Sequence, residues 1–92
     1  MERGLTKEAR IRYESLCKEV QYESHGHGSV TLSEMYDEND CVKIGVNWSC
    51  CGTIDPEYAQ EFANAILDAC AAAEKFNRMY CTDEYYRNHG EN

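Results

Sequence analysis

Apolar positions along this chain recur first at helix spacing, then in alternation, then at helix spacing again. From Thr6 to about Cys17 or Val20, the residues Ala9, Tyr13, Leu16, Cys17 and Val20 fall on one side of a helix. Glu8–Arg12 and Glu14–Lys18 are favourable i,i+4 pairs for its wet side, and Thr6 has the hydroxyl an N-cap needs. Beyond Lys18 the periods overlap: "KEVQYES" already alternates, so Lys18–Ser24 fits either helix or strand.

After two glycines in "SHGHGS", the run "SVTLSEMY" sets Val30 and Leu32 against Thr31 and Ser33. "CVKIGVNW" alternates more strictly, with Val42, Ile44, Val46 and Trp48 on one face and Cys41, Lys43, Gly45 and Asn47 on the other. The intervening "DEND" is turn chemistry, because Asp and Asn bond their own backbone and tolerate positive φ. A β-hairpin follows. Gly52 ends its second strand, and "DPE" opens a helix with Asp55 as N-cap, Pro56 in the first turn and Glu57 at the positive dipole end. Ala59, Phe62, Ala63, Ile66, Ala69, Cys70 and Ala73 share one face of that helix, opposite Glu57, Glu61, Asn64, Asp68 and Lys75.

These elements predict a single α+β domain over residues 1–92. Its small antiparallel sheet has two to three strands. An N-terminal helix and a long C-terminal helix pack on the Val42/Ile44/Val46/Trp48 face. Residues 82–92, "TDEYYRNHGEN", are expected to add at most a helical turn and then fray. Phe76, Met79, Tyr80, Tyr85 and Tyr86 read as packing in preference to an interface.

Charge changes the picture more than composition does. The net charge of −8 comes from seventeen acids against nine bases, and it is unevenly spread. Residues 1–20 carry +1 and residues 69–92 carry −1. Residues 21–68 hold nine acids and only Lys43, which places the whole imbalance in the middle. Such a field repels free DNA, RNA and anionic membrane and draws in basic partners. "MERGLTKEAR" has no apolar stretch behind its charges, so the expected location is a cytosol. There the six cysteines are expected as free thiols, without disulfides.

Catalytic and metal chemistry find little support. Cys50 and Cys51 lie near His25 and His27 in kind, but adjacent strand residues point to opposite faces and do not easily share an ion. No metal or other cofactor is expected. A Cys–His hydrolase would need a motif that positions thiolate, base and oxyanion hole, and none is present. An enzyme is not the expected class. What remains is the acidic segment. Glu34, Asp37, Glu38 and Asp40, with Glu23 upstream, are the candidate partner-binding residues, set against the plainer reading of a solvated hairpin turn.

Two long stretches, "MERGLTKEARIRYESLCKEV" and "GVNWSCCGTIDPEYAQEFANAILDACAAAEKF", carry a resemblance over the full length. The chain resembles phage-encoded anti-CRISPR proteins directed against the type I-F (Csy) surveillance complex. These proteins share no common motif, so the resemblance assigns no site residues. It implies a small α/β inhibitor, working in the host bacterial cytoplasm, that docks on the assembled guide-RNA complex and prevents target DNA from hybridising. The implied partners are subunits with basic DNA-binding surfaces, with the guide RNA as a further candidate contact. Another reading, from the residues alone, is an acidic accessory module that binds an unrelated protein through its open sheet face.

Overall fold

The computed structural model describes residues 4–23, 26 and 28–89. Its elements run α1 (Lys7–Glu19), β1 (Tyr22–Glu23), β2 (Gly28–Tyr36), β3 (Val42–Cys50), α2 (Pro56–Tyr80) and α3 (Asp83–His89). The strands form one antiparallel sheet in the order β1-β2-β3. This is the α+β architecture expected from the periodicity. In the ambiguous Lys18–Ser24 stretch, Lys18 and Glu19 end α1 and Tyr22–Glu23 form a two-residue strand, while Ser24 lies outside the described residues.

Each predicted cap forms. The Thr6 hydroxyl accepts from Ala9 N–H at 3.2 Å, and the Asp55 carboxylate accepts from Glu57 N–H at 2.9 Å with Pro56 opening the helix. Such caps satisfy N–H groups that the first helical turn leaves without partners. Register in the hairpin pairs Val30 with Trp48, Leu32 with Val46, Glu34 with Ile44 and Tyr36 with Val42. Directly paired residues share a face, so these eight side chains point to the helical side. The opposite face carries Ser29, Thr31, Ser33 and Met35 beside Lys43, Gly45, Asn47 and Ser49.

The core lies between the sheet and α2. Val30, Leu32 and Ile44 meet Phe62, Ala69, Ala73, Phe76 and Tyr80, all buried. Alanines at 69 and 73 let the helix approach closely. At Gly28 a Cβ would sit 2.6 Å from the Ser49 carbonyl and 2.9 Å from the Phe62 ring, so only glycine fits beneath that ring. Helix α1 lies on the same side. Ala9 is fully buried, and Tyr13 meets Phe76 edge-on with ring centroids 6.3 Å apart.

Three expectations change. The inward face of α2 is rotated: Phe76 and Tyr80 extend it, whereas Ala59 and Ala63 are exposed. Trp48 points to the helical side but stays 61% exposed, because it stands on an edge strand that α2 covers only in part. Of the C-terminal stretch expected to fray, residues 90–92 lie outside the described residues and residues 83–89 are helical. They form α3, capped by the Thr82 hydroxyl on Tyr85 N–H at 3.1 Å. Tyr85 and Tyr86 are buried in an aromatic series with Phe76 and Tyr80. The Tyr85 hydroxyl bonds Thr6 at 2.7 Å, and the Tyr86 hydroxyl donates to the Gly4 carbonyl at 2.8 Å. Burial of Phe76, Tyr80, Tyr85 and Tyr86 matches the packing expected of this cluster, whereas Met79 is exposed. The Thr6 and Gly4 partners have no local sign, because they come from the other end of the chain.

One polar residue sits among the packing of α2. Asn77 accepts from the Ile44 N–H at 2.8 Å and donates to the Ile44 carbonyl at 2.9 Å. Its side-chain amide thus takes the place of a neighbouring strand at one residue of the β3 edge. Replacing Asn77 by Ala strands both Ile44 groups and is expected to cost about 1–3 kcal/mol. Phe62→Ala opens the core beneath α2 and is expected to cost about 3–5 kcal/mol. Ile66→Ala, at a partly buried site, costs less. Denaturant unfolding of the three variants checks both the sizes and the order.

Candidate functional site

The acids of the hairpin are held in different ways. Glu34 points to the helical side, where its two carboxylate oxygens each accept from one Arg10 guanidinium nitrogen at 3.2 Å. This fork joins α1 to β2 and raises the Arg10 pKa, chiefly through the hydrogen bond to Glu34. Next to it, burial, with a hydrogen bond to Cys17, pushes the Tyr13 phenol up to about 12. Glu34 therefore braces α1 against β2, while its side chain stays 29% exposed at the surface. Sequence could not separate the roles, since the pairing depends on which face of β2 meets α1.

Asp37 is likewise occupied. Its Oδ1 accepts from Asn39 N–H at 2.8 Å and Cys41 N–H at 3.0 Å, while its backbone N–H donates to the Cys41 carbonyl at 2.9 Å. The carboxylate builds the turn by bonding its own local backbone, as the Asp/Asn-rich "DEND" predicts. Asp40 follows with φ of 59°, a conformation that Asp tolerates better than most residues. Its N–H donates to the Asp37 carbonyl at 3.0 Å. The carboxylates of Glu38 and Asp40 are exposed at the tip.

Glu23 stands elsewhere. It pairs with Ser29, at the far end of the sheet from the tip. Seven strand residues, about 23 Å, separate Ser29 from Tyr36. That exceeds the screening length of about 10 Å at 0.1 M salt. A second acid shares this end: Glu61 accepts from the Tyr22 hydroxyl at 3.2 Å. The negative charge is thus divided between a tip with Glu38 and Asp40 and an opposite end with Glu23 and Glu61. Between them the open sheet face is small and polar, with Met35 laid over Gly45 and Ser29 bonded to Ser49 at 3.3 Å.

All six cysteines are free thiols, and Cys50 and Cys51 are exposed. Among the described residues no group of three His, Cys, Asp or Glu side chains is placed to hold a metal ion, and no helix is long and apolar enough to cross a membrane. His25 and His27 lie outside the described residues. A groove of about 580 Å³ runs between α1 and α2, floored by Leu16, Val20 and Phe76, and its rim mixes Arg12 and Lys75 with Glu19. No protein-family model, curated protein or solved structure matches this chain.

Asn77 is the polar contact that the sequence reading missed. It had a signal: its spacing from Ala73 and Tyr80 sets an amide beside the inward stripe of α2.

Two outcomes follow for the site. Asp37→Ala is expected to cost about 1–3 kcal/mol, whereas Asp40→Gly changes stability by less than about 0.5 kcal/mol because its backbone already suits glycine. Chemical denaturation distinguishes a turn-building Asp37 from a purely solvated one. Tyr13 has its own signature. Its folded-state pKa of about 12 lies above the ordinary 10, so the folded chain holds this proton more tightly than the unfolded one. That contribution is complete below pH 10 and is lost as pH climbs toward 12. Unfolding measured across this range should decline less steeply in Tyr13→Phe than in the wild type.

Proposed function

We propose that this chain is a non-enzymatic inhibitor that binds a type I-F CRISPR guide-RNA surveillance complex and blocks hybridisation of target DNA. The carrying observation is the charge distribution: residues 21–68 hold nine acids and one base, and Glu38 and Asp40 stand exposed at the end of a two-stranded hairpin. A channel that grips nucleic-acid phosphates is lined with Lys and Arg, and an acidic protein placed there competes for the same side chains. Occupancy alone then excludes the DNA strand. No bond need be made or broken, which fits a domain whose acids serve in caps, a turn, a brace and exposed tips. The resemblance to anti-CRISPR proteins of this class points to the same partner and to the host bacterial cytoplasm as the place of action.

Glu38 and Asp40 lead this contact. Glu23, at the other end of the sheet, meets the partner only if the interface spans the full strand length. Glu34 and Asp37 contribute through the fold. The same acids argue against binding to free DNA or to an anionic membrane.

The test is the association rate with a purified type I-F complex. Glu38→Lys with Asp40→Asn changes net charge by three while respecting the positive φ at 40. This variant is expected to bind roughly tenfold more slowly than wild type at low salt, with the difference shrinking as salt rises. Glu14→Lys with Glu84→Gln makes an equal charge change away from the tip and should slow association far less. Equal losses in both variants would leave net charge as the sole factor. An undisturbed rate in the tip variant, or no binding by the wild type, would rule out this assignment.

A further inference from the structure

The β3 edge is open where a sheet edge is ordinarily protected. Asn77 takes the N–H and C=O of Ile44, so these groups point away from β2. Strand alternation then turns the backbone groups of Val46, Trp48 and Cys50 outward as well, and no hydrogen bond from the described residues reaches them. Soluble proteins blunt such edges with charges, proline or a bulge. Here the reverse holds: residues 44–54 are eleven consecutive residues without a charge in a chain of net −8.

A second apolar surface lies beside this edge. Asn77 marks the side of α2 that overhangs β3. Helical periodicity places Gln60, Ala63, Leu67, Cys70 and Glu74 toward that side, next to but outside the buried stripe. Leu67 is 64% exposed, and Ala63 is exposed too. Two contacts give the register of helix against strand. Asn77 sits at Ile44, and the Phe62 ring covers the Gly28–Cys50 pair. Interpolation between them places Leu67 level with Trp48. Both of these large exposed side chains therefore stand at one height on the helical side of the sheet.

The geometry points to a second copy of this chain as the occupant, joined through an antiparallel β3–β3 pairing centred on Trp48. A two-fold axis perpendicular to the sheet, passing between the two Trp48 residues, sets Val46 opposite Cys50 of the other copy. It makes one six-stranded sheet with both α2 helices on the same face. The helices then run antiparallel and meet around Leu67. Under that symmetry Ala63 faces Ala71 and Gln60 faces Glu74, so no two like charges oppose each other. Trp48 and Leu67 from both copies close a small apolar cluster on the axis. A foreign strand could pair with the edge, whereas a second copy brings its own exposed Trp48 and Leu67 to the same height on the helical side. The acidic tips remain outside this interface, so self-association does not rest on the functional proposal.

Sedimentation equilibrium at moderate salt tests it on the intact chain. The wild type is expected to show a reversible monomer–dimer equilibrium. Leu67→Glu buries an unpaired charge at the axis and should raise the dissociation constant at least about a hundredfold, without changing thermal unfolding of the monomer. Ile11→Glu, a similar change at an exposed site on α1, should leave association intact. Gln60→Lys creates two cross-copy pairs with Glu74 and should tighten the dimer roughly threefold or more. Amide exchange adds a direct readout: protection at Val46, Trp48 and Cys50 should rise with protein concentration. A wild type that stays monomeric up to its solubility limit overturns the proposal. So does a dimer indifferent to Leu67→Glu, or edge protection that appears only when another protein is added.

Discussion

The side-chain amide of Asn77, bonded to both backbone groups of Ile44, fixes how the long helix lies on the sheet. Apolar burial of Phe62, Ala69, Ala73, Phe76 and Tyr80 holds α2 against the strands, but such burial is non-directional and would tolerate sliding and rotation. Two hydrogen bonds to one edge residue remove that freedom. They bring the C-terminal half of α2 over β3, which aligns Phe76 and Tyr80 with Tyr13 and Tyr85 and lets α3 fold back onto the chain's beginning. Beyond Ile44 the β3 edge is unpaired, because β3 is the last strand of the sheet.

Electrostatics in this domain is best understood by asking what each carboxylate already does. Asp55 caps α2, Glu34 braces α1 through Arg10, Asp37 shapes the hairpin turn, and Glu61 receives the Tyr22 hydroxyl. Outside these roles, Glu38 and Asp40 stand exposed at the hairpin tip, and Glu23, Glu57 and Asp68 stand exposed elsewhere. Long-range attraction sums over all the acids, whereas a specific contact can use only those not engaged elsewhere. In the proposed complex, the whole middle segment would steer encounter and the tip would supply contact.

Much of the architecture could be read from periodicity and caps. Alternation in 29–36 and 41–48 located the hairpin, Asp55–Pro56–Glu57 located the start of α2, and Thr6 located that of α1. These are local properties: a side-chain oxygen satisfies N–H groups two or three residues away, and faces follow from the backbone repeat. The identity of an acidic, unevenly charged chain was legible for the same reason, since charge is a sum over residues wherever they fold.

The division of labour within the acidic segment was not legible, because Glu34 and Glu38 are identical in kind and differ only in what stands opposite them. Arg10 lies twenty-four residues before Glu34, Thr6 seventy-nine before Tyr85, and Asn77 thirty-three after Ile44. Each pairing exists only once the sheet has chosen a face and the helices have docked. Rotation of α2, which exposes Ala59 and Ala63 while burying Phe76 and Tyr80, was decided the same way. Sequence by itself determined where helices and strands begin, which residues could be inward, and the sign of the field. Tertiary structure alone decided which inward-capable residues are covered and which carboxylates are free. Burial and pairing are relations between distant residues, and no local pattern contains them.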